Sequence, residues 1–151
     1  MDNLLDNFTF SVPIQMRWND LDPLGHVNNA IFITYFEMGR GRYMVASCPT
    51  WDWTKNMFLI GKIEASYHKE LKLTAKNPKV WVRTKKMGSK SFVVEYLISS
   101  EDKEGKNIVH ATGATTQIMF DMFNKKTMPM PEWMRNELKN FEKQGSIEGL
   151  E

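Results

Sequence analysis

The sequence predicts an α+β fold in which one long helix is gripped by a curved antiparallel sheet, with a short helix near the C-terminal end. Three observations lead there. Residues 29 to 46 are apolar on nearly every side, a pattern that suits a helix wrapped by the rest of the protein. Strand-like runs follow at about 58–73, 79–87, 91–100 and 107–120. Successive links are short, and a parallel crossover would need about a dozen residues or more, so the strands pair antiparallel.

The first strand is read from Phe10, Val12, Ile14, Met16 and Trp18, which alternate with Ser11, Pro13, Gln15 and Arg17 as a half-buried strand does. Pro13 cannot donate a ladder bond, so it belongs at an edge or a bulge. In the long helix, Thr34, Glu37 and Arg40 form the only polar stripe. Gly39 and Gly41 each cost such a helix about 1 kcal/mol relative to Ala, so both are expected to mark close backbone approach, to the sheet. Residues 48 to 56 carry Trp51 and Trp53 without any period, a loop whose aromatics pack on the core or line a pocket. The next two strands place Val80, Val82, Phe92, Val94, Tyr96 and Ile98 on one face across the Gly88-Ser89-Lys90 link, and Glu101 to Asn107 makes the following turn. Pro131 opens a terminal helix over Glu132 to Phe141. Residues 145 to 151 read as a frayed tail.

The 151 residues fit one domain, spanning 1–151 with its core at about 8–143. With 20 basic and 18 acidic residues the net charge is +2, so the overall field argues for neither nucleic acid nor an anionic membrane as main partner. Cys48 stands alone, outside any metal-ligand spacing, which favours a reducing compartment. The N-terminal segment lacks a basic stretch and a long apolar run, so the expected location is cytoplasmic, and the Asn7-Phe8-Thr9 glycosylation pattern is accidental. A hydrophobic fraction of 42% excludes a mostly disordered chain.

Chemistry is expected where the first strand meets the long helix. Asp22-Pro23-Leu24-Gly25 reads as a β-turn that fixes the Asp22 carboxylate at a corner. A helix starting at Asn28 or Asn29 aims unpaired N–H groups, with roughly half a positive charge, at that corner. A carboxylate beside a helix N-terminus suits acyl transfer.

The block D-x-D-P-x-G-H-V-N-N-A over residues 20–30, followed by an aromatic-rich helix with Glu37 and Arg40, resembles the 4-hydroxybenzoyl-CoA thioesterase family of single hotdog-fold acyl-CoA thioesterases. Over residues 8 to 143 the likeness lies in strand order rather than identities. The resemblance implies a hotdog fold, no cofactor, an acyl-CoA or acyl carrier protein substrate, and a homodimer or homotetramer with sites shared between subunits. It also implies that Asp22 is the catalytic carboxylate and that the Asn29 backbone amide receives the thioester oxygen. Phe32 departs from the family, whose members often carry Tyr there.

Each candidate has a plainer reading. Asp22 acts as nucleophile or general base, or merely caps turn amides. His26 orients a carboxylate or binds substrate, or is a structural hydrogen-bonding group. Gly25 lets substrate approach, and Asn28 or Asn29 serves as the helix cap. Asp20 shapes the loop or acts on Asp22 through like charge; otherwise it is a solvated strand end. Glu37 and Arg40 can pair along one helix face, with Glu37 a candidate for substrate contact. Lys85, Lys86 and Lys90, with Arg83, either meet coenzyme A phosphates or solvate a hairpin. None of His26, His68 and His110 has ligand spacing, so no metal is expected. Nucleotide-binding glycine motifs are absent. The D-x-D also resembles haloacid-dehalogenase-type phosphatases, but theirs follows a buried parallel strand, which residues 10–18 do not resemble. The non-enzymatic alternative is an acyl-CoA-binding or regulatory hotdog protein.

Overall fold

The computed structural model describes residues 2–142 and 147–148. After a 3-10 helix at Asp2–Asn7, the chain runs through β1 (Phe10–Pro13), a 3-10 turn at Trp18–Asp20, and α1 (Asn29–Ser47). It continues through β2 (Phe58–Tyr67), β3 (Lys76–Met87), β4 (Ser91–Glu101), β5 (Asn107–Asp121), β6 (Lys126–Thr127) and α2 (Glu132–Phe141). The strands form one antiparallel sheet in the order β1-β3-β4-β5-β2, with β6 added to β5. The sheet curls around α1 in the hotdog arrangement.

The alternation seen in the sequence sets the inner face of the sheet. Val80, Val82, Phe92, Val94, Tyr96, Ile98 and Met119 are buried and share one core with Phe32, Tyr35, Phe36, Tyr43 and Met44 of α1. The Phe36 and Tyr96 rings stack with centroids 4.7 Å apart. Gly113 in β5 makes room for this contact, because a Cβ there would lie 2.5 Å from Phe36. Gly39 brings α1 onto β3, where a Cβ would lie 2.8 Å from Val80. Gly41 departs from the expectation: nothing lies within 4 Å of a Cβ at that position. The helix is also less enclosed than its composition suggests, since Thr34, Glu37, Met38, Arg42 and Val45 are exposed.

The first strand stops earlier than its alternation predicts. Arg17 donates its N–H to Asp20 Oδ2 at 3.0 Å, and this bond turns the chain into the 3-10 segment and leaves Trp18 77% exposed. β2 likewise ends at Tyr67 rather than 73, because residues 68–72 leave the sheet edge to meet the turn after Asp22. There Val27 donates to the Leu71 carbonyl at 2.8 Å, and His26 bridges Lys72. Of the expected frayed tail, Ile147 is buried and Glu148 exchanges backbone bonds with the Lys85 carbonyl and the Met87 amide. The other tail residues lie outside the described residues. No helix among the described residues is long and apolar enough to cross a membrane.

Candidate active site

The Asp22 turn closes as the Asp-Pro-x-Gly spacing dictates: Gly25 N–H donates to the Asp22 carbonyl at 3.0 Å, and Gly25 takes a φ of +80°, where glycine pays least. Asp22 and His26 exchange further backbone contact, with Asp22 N–H donating to the His26 carbonyl at 2.7 Å. Asp22 Oδ1 accepts from the amides of Leu24 and His26 at 2.9 and 3.1 Å. That leaves Oδ2 uncommitted among the described bonds.

The helix opens beside this turn. Asn28 is the cap, its Oδ1 accepting from Ala30 N–H at 2.9 Å, while its own N–H donates to the Asp20 carbonyl. Asn29 is the first helical residue, and its N–H has no partner within the described structure. Asp22, His26, Asn29 and Phe32 line a recess of about 340 Å³, closed on its far side by Tyr67, His68, Lys69 and Glu70 from the end of β2 and the loop after it. Tyr67 donates its hydroxyl to the Asn29 carbonyl at 2.8 Å, and its ring meets Phe32 edge-on at 5.3 Å.

Asp20, two residues away from Asp22, has a different environment. It is buried, and its carboxylate accepts from the Arg17 amide, the Arg17 guanidinium and the Tyr35 hydroxyl at 2.7 to 3.3 Å. Burial works to raise its pKa, but these donors outweigh it and hold the carboxyl below its ordinary value. Asp20 is thus a buried clamp between the turn and α1, not a solvated strand end.

The loop facing Asp22 is fastened by His110. The amides of His68 and Lys69 donate to the His110 carbonyl at 2.8 and 3.2 Å. The ring is buried, with Nδ1 3.0 Å from the Glu70 carbonyl and Nε2 2.6 Å from Ser100 Oγ. A carbonyl only accepts, so Nδ1 carries a proton, and in the neutral ring the Ser100 hydroxyl then donates to Nε2. Burial pushes the His110 pKa down from 6.5.

Other candidate residues fall elsewhere. Gly25 and Asn28 act in the turn and the cap without lining the recess. Glu37 is exposed and forms no ion pair with Arg40 among the described residues; Arg40 instead turns inward and donates to the Tyr96 hydroxyl at 3.1 Å. Lys85 pairs with Glu95 at 3.6 Å, and Lys86 and Lys90 lie on the β3–β4 hairpin. That hairpin shares the end of the sheet marked by the Phe58–Met119 register, whereas the recess lies at the Tyr67–Ala111 end. The ten residues of β2 separate the two ends by about 30 Å. Sequence reasoning missed Tyr67, Lys69 and Glu70 and weighed His68 and His110 only as metal ligands, because long-range strand pairing delivers them. A second recess, of about 360 Å³, opens on the outer face of the sheet beneath Leu4 and Phe8 and reaches His68, but it lacks both the turn carboxylate and the helix start. No group of three metal-ligating side chains occurs among the described residues.

A model of the Thioesterase-like superfamily matches residues 16–138 of the chain. No curated protein matches it. Among solved structures, a thioesterase from Thermus thermophilus, complexed with coenzyme A and Zn, is 30% identical, with a TM-score of 0.76 over 90% of this chain and 96% of that one. The probable thioesterase YbaW from Escherichia coli is 21% identical (TM-score 0.70, 89% and 100% covered). A mutant 4-hydroxybenzoyl-CoA thioesterase complexed with 4-hydroxybenzoyl-CoA is 14% identical (TM-score 0.77, 85% and 97% covered). These last two share the fold.

Proposed function

The chain belongs to the Thioesterase-like superfamily, and from that premise we propose that it hydrolyses acyl-CoA thioesters to a free acid and coenzyme A. The observation that carries this reading is that Asp22 and Asn29, whose amide has no partner among the described residues, line one recess. A thioester carbonyl seated there meets a base or nucleophile on one side and a donor for its developing oxyanion on the other. Asp22 Oδ2 either takes a proton from water as it attacks the carbonyl carbon, or attacks that carbon itself. In the second case a mixed anhydride forms, the thiolate leaves and water then cleaves the anhydride. In both, the oxyanion accepts from Asn29 N–H at the positive end of a 19-residue helix. His26 and Lys69, on the rim, are proposed to hold the polar part of the substrate. The Thermus relative's coenzyme A supports that carrier over acyl carrier protein.

We also propose that the working unit is at least a two-fold dimer. β2 leaves its outer edge unpaired over ten residues, with Leu59, Ile60, Ile63 and Tyr67 exposed. Antiparallel pairing of two β2 strands would bring the lysine hairpin of one copy to the end of the sheet that holds the other's Asp22.

The test is thiol release from a panel of acyl-CoAs. Asp22→Asn keeps an oxygen for the two turn amides, so melting should be unchanged while turnover falls at least about 100-fold. Near-normal turnover in a folded variant would leave Asp22 a turn cap. Those same two turn bonds favour one other reading, a thioester-binding protein that does not cleave. Tight acyl-CoA binding without thiol release would establish it.

A further inference from the structure

Arg40 lies on α1, only 8% exposed, and no carboxylate among the described residues pairs with it. Its guanidinium packs over the Phe58 ring at 5.5 Å, and among the described residues its Nη1 donates to Tyr96 Oη at 3.1 Å. The same Phe58 ring receives Trp51, with centroids 5.7 Å apart. Trp51 is 6% exposed, and its indole N–H is buried with no acceptor. A buried donor without an acceptor costs stability, and that cost falls when an oxygen acceptor reaches Trp51, an acceptor that the neighbouring Arg40 charge also attracts. The planar guanidinium fork suits a carboxylate in particular.

Phe58 begins β2, at the opposite end of that strand from Tyr67 and the Asp22 recess. Two β2 strands paired antiparallel about a two-fold axis set the Phe58 end of one copy beside the Tyr67 end of the other. We infer that Arg40 and Trp51 of one copy form an acceptor site for the distal end of an acyl group whose thioester sits at the other copy's Asp22 and Asn29, so that the preferred substrates are acyl thioesters bearing a carboxylate remote from the thioester. The inference rests on the thioesterase reading and on the shared site, and it adds the chemical class of the acyl group.

Adipoyl-CoA and hexanoyl-CoA share a six-carbon chain and differ in the distal carboxylate. Wild-type kcat/KM should favour adipoyl-CoA at least about 10-fold, because a site built around donors rejects an analogue that leaves them unpaired. Arg40→Met should bring the two substrates level. Trp51→Phe, which keeps the ring packing and deletes only the N–H, should cut the preference severalfold, and it serves if the Arg40 variant does not fold. If wild type cleaves neither thioester, the hydrolytic reading fails by itself. The acceptor site is then read from calorimetric Kd values, expected about 10-fold tighter for adipoyl-CoA in wild type and equal in the variants. Equal kcat/KM and equal Kd for the two ligands in wild type overturn the inference, as does a folded variant that weakens both ligands by the same factor.

Discussion

Asp20 gathers the Arg17 amide, the Arg17 guanidinium and the Tyr35 hydroxyl, and so ties the turn before the recess to the first half of α1. The Arg17 side chain is 74% exposed, so water screens the ion pair and the clamp rests mainly on the amide and on Tyr35. Replacing Asp20 with Asn removes a charged acceptor from a buried position and should cost about 1–3 kcal/mol, read as a lower denaturant midpoint at pH 7. The sign of the pH dependence follows from its depressed pKa. The contribution is fully present above the ordinary aspartate value and is lost as pH falls through the lower, folded value, so wild type and Asp20→Asn should converge in strong acid. A difference that persists unchanged to pH 2 would contradict this. The motif drew attention to Asp22, but the burial of Asp20 was not legible, because its partner Tyr35 is fifteen residues away and the helix delivers it. Arg40 was misread for a related reason: helical spacing permits a pair with Glu37, and only the packed sheet reveals that Arg40 points inward to Tyr96.

At the scale of elements, β3 and β4 were readable because Val80 and Val82, and Phe92, Val94, Tyr96 and Ile98, alternate onto one buried face, although the register shifts between Thr84 and Lys86 and between Ile98 and Ser99. The loop after β2 was not, since its place depends on pairing with residues 26–27 and on His110 in a different strand. His110 is buried and donates from Nδ1, and burial disfavours its charged form. Its folded pKa lies below 6.5, so its contribution is present above that value and is lost as pH falls through the folded one. The protection of the Lys69 amide, relative to its intrinsic exchange rate at each pH, should therefore fall as pH drops below the ordinary histidine value and before global unfolding, and His110→Gln should remove that pH dependence while lowering protection throughout. The two glycines of α1 separate in the same physical way. Ala at Gly39 gains about 1 kcal/mol of helix propensity but drives its Cβ against the stiff branches of Val80 and Val82, a clash of about 1–3 kcal/mol, so the net effect is destabilising. At Gly41 no atom of the described residues opposes the Cβ, so the same substitution should raise the denaturant midpoint unless a second copy packs there.

Within one chain, this fold is unfinished at one edge. β1 is four residues long and ends in Pro13, a short and proline-marked edge that resists further pairing, whereas β2 offers ten residues with exposed aliphatic side chains and no proline. Which edge stays open was not legible in the sequence, because runs 58–73 and 107–120 look alike until the sheet order puts one outside and the other inside. Pairing β2 with its copy covers that edge with a self-complementary contact, as a two-fold interface requires. It also sets the Arg40 and Trp51 end of one chain beside the recess of the other. Catalysis and assembly are then linked: dilution that dissociates the dimer should remove activity in step with it, and substrate should pull the equilibrium back. Placing a charge mid-edge, as in Ile63→Lys, sets two like charges close together across the axis and should shift sedimentation toward monomer at about micromolar concentration, with a matching loss of turnover. Gly41→Ala supplies an independent reading, since a midpoint that rises in monomer and falls in dimer would put α1 in the same interface. A monomer by sedimentation that keeps full turnover would show instead that Asp22 and Asn29 suffice within one chain and that the free edge of β2 has another use.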